Sequence, residues 1–275
     1  MNWNPTWICP ANDLGDPAAV FGTSFVFEKK ITHANLTITA MGVYEARLNG
    51  RRVGQFVMAP GWTSYHKRLQ YQEYDITDLL TNGKNEIEVT VGKGWYRSPL
   101  PGWLGCAYQD ELRSRPCGLA AQIALTFEDG SSKILSTDES WKVSDGPVRF
   151  SEIYDGEIYD SAKTPLLDQP VTIFDGPTDT LILQQGEEVC EQERLAVKKV
   201  FVTPNGETVL DFGQNMTGYV ELFVNAKAGD CVDLSFAEVM DKEGNFYTEN
   251  YRGAKAQYHY ICSDGVQTWH PSLTF

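Results

Sequence analysis

The densest run of acid chemistry is SEIYDGEIYDSAK at positions 151–163, which carries Glu152, Asp155, Glu157 and Asp160. Paired carboxyl groups about 5–9.5 Å apart are the working parts of glycoside hydrolysis, one held protonated by its surroundings and one ionised. Neighbours in one segment can supply that separation, and so can any acidic surface strand. Spacing alone leaves both readings open. A second kind of chemistry lies in the aromatics. GKGWYRSPLPGWLG (92–105) places Trp95, Tyr96 and Trp103 on one Gly/Pro-rich connection, and MAPGWTSYHKRLQYQEYDITDLL (58–80) adds Trp62, Tyr65, His66, Tyr71 and Tyr74. Indole and phenol faces suit the C–H faces of sugar rings. Tryptophan is also highly buried on average, so packing in a core or at a domain interface competes with that reading. The candidate substrate-binding residues are Trp95, Tyr96, Trp103, Asp155 and Glu157.

Other chemistries find no support. The chain has no GxxxxGK[ST], GxGxxG or GxSxG sequence, so phosphate loops and nucleophile elbows are not indicated. Its six cysteines include no CxxC pair, and its four histidines show no HExxH spacing, so neither a metal nor a cofactor is expected. A formal charge of −14 disfavours nucleic acid and anionic membrane surfaces as partners. No apolar run approaches the roughly 20 residues a membrane helix needs. The opening MNWNPTWICPANDLGD has no basic and apolar leader pattern, which leads to the expectation of a cytoplasmic protein with reduced thiols.

The elements that must position these side chains read almost entirely as strands. NLTITA (35–40) and NEIEVTV (85–91) alternate apolar and polar residues with the period of a half-buried strand. Asn49-Gly50 and Asp129-Gly130 separate extended runs and predict hairpins. DITDLL (75–80) is the one convincing helical fragment, with Asp75 as its cap. Turn signals at regular spacing predict an all-β protein built from antiparallel β-sandwiches. The segment 164–193, with Pro165, Pro170, Pro177 and a cluster of acids, breaks the strand rhythm. The chain is therefore divided near residue 170, into domains 1–170 and 171–275.

The wording of the sequence carries more than its periods. YEARLNGRRVGQFVMAPGWTSYHKRLQYQEYDITDLLTNGKNEIEVTVGKGWYR (44–97) and SEIYDGEIYDSA (151–162) resemble the N-terminal β-sandwich domain of bacterial α-L-rhamnosidases. LDFGQNMTGYVELFV and AEVMDKEGNFYTENYRGAKAQYHYIC, within 210–262, are similar to the concanavalin-like sandwich that follows in those enzymes. The resemblance runs in order over most of residues 20–275. It implies a galactose-binding-like jelly roll followed by a concanavalin-like sandwich, in an inverting glycoside hydrolase that removes terminal α-L-rhamnose without a redox cofactor.

In that family the catalytic acid and base sit in an (α/α)6 barrel C-terminal to the sandwiches, so no catalytic position is expected here and the 275 residues alone should be inactive. The parent enzyme would act on rhamnosyl glycosides; a free-standing carbohydrate-binding module is the alternative. The resemblance further leads to the expectation that the second sandwich lacks its last strand. Its open edge would then be covered by a second copy in a homodimer, by residues 1–20 or by a neighbouring molecule.

Overall fold

A computed structural model describes residues 3–98 and 114–275 of the protein. Trp103 and Cys106 lie outside the described residues. In chain order the strands begin with β1 (Trp7–Pro10), β2 (Ala19–Phe27), β3 (Ile31–Met41), β4 (Val43–Leu48) and β5 (Arg51–Arg52). Next come β6 (Leu69–Asp75), β7 (Gly83–Gly92), β8 (Gly118–Phe127), β9 (Ser132–Ser136) and β10 (Lys142–Asp145). They continue with β11 (Val148–Glu152), β12 (Gly156–Asp160), β13 (Gln169–Phe174), β14 (Leu181–Leu183), β15 (Lys199–Val202) and β16 (Thr208–Asp211). The last are β17 (Leu222–Ala226), β18 (Cys231–Ser235), β19 (Val239–Met240), β20 (Phe246–Tyr247), β21 (Gln257–Ile261) and β22 (Gly265–Trp269).

Two layers make the first sandwich. One runs β14-β6-β3-β8-β1 with β9 added to β8, and the other runs β10-β2-β7-β4-β5. β13 pairs with both β1 and β10 and joins the layers along one side. The expected alternation holds: Leu36, Ile38 and Ala40 of β3, Ile87, Val89 and Val91 of β7, and Leu119, Ile123 and Leu125 of β8 are all buried between the layers. Each such Leu, Ile or Val side chain stabilises the fold by about 1.5–3 kcal/mol through removal from water. The Asn49-Gly50 hairpin is present, with φ of 52° and 76°, the backbone a two-residue primed turn requires. Asn49 does more than turn the chain: its Nδ2 donates to Leu79 O and Asn85 Oδ1, and its Oδ1 accepts from Glu86 N.

Two expectations change on inspection. DITDLL forms a single 3-10 turn, Thr77–Leu79, rather than an α-helix. Asp75 Oδ1 accepts from Thr77 N (2.9 Å) and Thr77 Oγ1 (2.6 Å), so the cap forms as a local side-chain turn and those bonds hold the carboxyl below its ordinary range. Ile76 is wholly buried and Leu80 is already extended, so packing and the return into β7 leave no room for further turns. The proline-rich segment, in turn, does not end the first sheet, because β13 and β14 fall inside it. Pro165 and Pro177 flank these strands, while Pro170, which has no N–H, uses its carbonyl to accept from Ala11 N. Residues 7–10 likewise pair into the first sheet as β1 and do not cover the second sandwich.

The halves share one sheet, β11-β12-β21-β18, in which β12 pairs with β21 in parallel from Gly156↔Gln257 to Asp160↔Ile261. Tyr258, Tyr260, Cys262 and Trp269 are buried beside it. Elsewhere in the second half, β15–β16, β17–β22 and β19–β20 form separate two-stranded ribbons.

Candidate functional site

The aromatics foreseen at 95 and 96 are placed by a four-residue helix, Gly94–Arg97, directly after the central strand β7. The loop before β6 brings Trp62 and Tyr65 to them. Trp62 and Trp95 lie parallel, with centroids 6.2 Å apart and planes 5° apart, and Tyr65 meets Tyr96 edge-on at 5.2 Å. Trp62 is 59% exposed, while Trp95, Tyr65 and Tyr96 are half-buried with one side packed against the core, so the group forms a shelf whose open face is carried mainly by Trp62. Tyr65 Oη donates to Gly61 O, which braces the loop. Arg115 lies over the Tyr96 ring at 5.0 Å, with a guanidinium nitrogen 3.2 Å from His66 Nε2. These groups border a hollow of about 360 Å³. Phe275 extends the aromatic surface, its ring 6.4 Å from that of Trp95. The contributions of Arg115 and Phe275 carry no sequence signal, because each comes from far along the chain, whereas His66 belongs to the 58–80 stretch already singled out.

The acidic segment separates into unlike environments. Asp155 is half-buried and pairs with Lys255 at 3.2 Å. Glu152 is buried and pairs with Lys93 at 3.2 Å, and Lys93 also holds exposed Asp16 at 3.0 Å. Glu157 is enclosed at 1% exposure; its Oε2 accepts from Leu273 N at 3.4 Å and its Oε1 has no hydrogen-bond partner. Desolvation pushes its pKa up to about 8, against the lowering effect of the Leu273 and Ser272 amides, with Glu45 raising it further. A neutral acid results, but one closed off from solvent. In this structure the Glu157 side chain braces the segment Ser272–Leu273 and does not line the hollow beside the aromatic shelf.

Among the described residues no group of three or more His, Cys, Asp or Glu side chains could hold a metal ion. A second hollow, of about 190 Å³, lies between β2 and β9 and contains one carboxyl, that of Asp138. Neither hollow has the facing carboxyl pair that glycoside hydrolysis uses.

Comparison with known proteins gives a consistent picture. The alpha-L-rhamnosidase N-terminal domain family matches residues 29–193, and the bacterial alpha-L-rhamnosidase concanavalin-like domain family matches residues 201–275. The chain is 37% identical to the alpha-L-rhamnosidase of Streptomyces avermitilis over 90% of its own length and 25% of that protein. It is 34% identical to an alpha-L-rhamnosidase of Formosa agariphila over 91% of its length and 28% of that protein. Among solved structures, the native enzyme of Aspergillus terreus superposes with a TM-score of 0.91 at 37% identity, covering 98% of this chain and 33% of that one. The Streptomyces avermitilis enzyme complexed with L-rhamnose superposes with a TM-score of 0.86 at 35% identity, covering 94% and 26%. This chain spans about a quarter to a third of the length of the curated relatives it matches.

Proposed function

Because the chain belongs to the bacterial α-L-rhamnosidase family, we propose that it forms the β-sandwich, non-catalytic portion of an enzyme that removes terminal α-L-rhamnose from glycosides with inversion. The observation that carries this reading is the ordered match of two rhamnosidase domains, together with two hollows among the described residues that hold no facing pair of carboxyl groups. The acid and base would lie in the remaining length that the relatives have and this chain does not span. Within the sandwich portion, the shelf of Trp62, Trp95, Tyr65 and Tyr96 is the proposed contact surface for rhamnosyl glycosides, with Trp103 on the same connection and Asp155 as a further polar contact. The 59% exposure of Trp62 also favours a second reading, a carbohydrate-binding module that acts without a catalytic partner.

One experiment tests the non-catalytic reading and the shelf together. The 275-residue protein is incubated with an aryl α-L-rhamnoside, and its tryptophan fluorescence is followed during titration with rhamnose and a rhamnosyl flavonoid. The expected result is no turnover above a buffer blank, because a positioned acid and base contribute large rate factors that are absent here. Binding should be weak and lost in Trp95→Ala, since a stacked aromatic adds only about 0.5–1.5 kcal/mol beyond its buried area. Turnover abolished by Asp155→Asn would overturn the non-catalytic reading. Fluorescence unchanged by either ligand would remove the shelf as a contact surface.

A further inference from the structure

The first sandwich is closed unevenly along the side that β13 bridges. β10 pairs with β2 only over Ala19–Gly22, and β9 pairs only with β8. Beyond Gly22, the outer edge of β2 (Thr23–Phe27) and that of β9 border a common hollow, with no strand between them among the described residues. Both ends of this gap are stopped. At one end Lys133 Nζ of β9 lies 5.7 Å from the centroid of the Phe27 ring of β2. At the other, the turn Asp138–Trp141 is held by Ser140 N donating to Asp138 Oδ1 (2.8 Å) and Trp141 N donating to Asp138 O (3.2 Å). The hollow, open to solvent on one side, has a volume of about 190 Å³, the bulk-liquid share of roughly six waters. That is room for one small ring and too short a slot for an added strand.

The lining is divided in the same way as a sugar. Its floor is apolar and well packed, made by Ile87, Ile123 and Trp141, all buried, with the half-buried Phe25 ring beside them. Its rim carries the hydroxyls of Thr23, Ser24, Ser136 and Ser140 and the carboxylate of Asp138. The one charged group in the lining is the Asp138 carboxylate, with the Lys133 ammonium at the far end of the gap over Phe27, so a negatively charged ligand next to Asp138 is disfavoured. We propose that this gap between β2 and β9 is a binding subsite for a single neutral pyranose ring, distinct from the Trp62–Trp95 shelf. The C–H face of the ring would lie on Phe25 and the exposed Ile134, and its hydroxyls would reach the rim side chains and the unpaired edge groups of the two strands. The subsite shares no residue with the shelf, and its existence does not depend on the catalytic reading.

Backbone amide NMR of the full 275-residue protein tests this, using L-rhamnose and D-galactose as neutral probes and D-galacturonate as the charged counterpart. At least one neutral sugar should shift the amides of Thr23–Phe25 and Ile134–Trp141 in a saturable way, and galacturonate should not. Ser24→Trp fills the gap from an exposed position and should weaken binding by about ten-fold or more. Ile134→Trp, at a position 62% exposed, is a second filling variant should the first disturb the fold. The proposal is overturned if neither neutral sugar shifts these amides, if galacturonate binds equally well, or if both folded filling variants bind as the parent does. Shifts confined to residues 62–66 and 94–97 would support the shelf and still overturn this subsite.

Discussion

Glu157 is a carboxylic acid held inside the protein with one oxygen unpartnered, which makes it costly in its ionised form. In the folded chain it keeps its proton up to about pH 8, whereas its ordinary pKa is 4.5. Between these values unfolding releases a proton, so stability is fully present below about pH 4.5 and is lost progressively as pH rises towards 8. Glu157→Gln keeps the shape and removes the titration. In urea denaturation between pH 5 and 8.5, the parent should lose on the order of 2–4 kcal/mol that the variant does not lose. Parallel pH profiles for parent and variant would show that Glu157 does not control this slope. Asp155, two residues earlier, has a solvent-accessible partner in Lys255 and should contribute under 1 kcal/mol.

At the scale of elements, the junction of the two halves rests on the parallel pairing of β12 with β21. Gly156 opens β12 with φ of 105°, and a Cβ there would lie 1.7 Å from Gln257 O, so only glycine lets the strands approach. Gly156→Ala should therefore cost at least about 3 kcal/mol, by backbone strain and displacement of β21. Gly50→Ala is the matched control: its φ is 76° and a Cβ would meet nothing within 4 Å, so about 1–2 kcal/mol of conformational cost is expected. Equal effects of the two substitutions on the melting temperature would mean that close approach at Gly156 is not what limits the junction. The proline-rich segment teaches a related point, because Pro165 and Pro177 flank β13 and β14 while Pro170 sits within β13 and the segment still pairs into the first sheet.

For the whole molecule, apolar burial is unequal. The first sandwich encloses a continuous core from Ile8 to Val171. The second half rests on a smaller cluster around Tyr258, Tyr260 and Trp269, and leaves Val200, Val202, Phe223 and Val266 at 62–81% exposure. Isolated two-stranded ribbons are marginal in water, and local opening free energies follow local contact density. Hydrogen exchange should accordingly be faster, by a factor of about 100 or more, in β15–β16 than in β3, β7 and β8. Equal protection of these strands would show that the protein opens as a single cooperative unit.

The sequence by itself determined the all-β class, the strands at 35–40 and 85–91, the Asn49-Gly50 turn and the family. Period-2 burial and left-handed turn residues act over short range, and the motif order is written along the chain. It also named Trp95 and Tyr96 as residues worth watching. Only the tertiary structure decided that Trp62 lies parallel to Trp95, that Glu157 is sealed while Asp155 meets Lys255, and that DITDLL stops at one 3-10 turn. The physical reason is common to all three. Burial, pKa and side-chain stacking depend on which distant strands are brought together, as Glu157 meets Leu273 across 116 positions, and no local pattern encodes that distance.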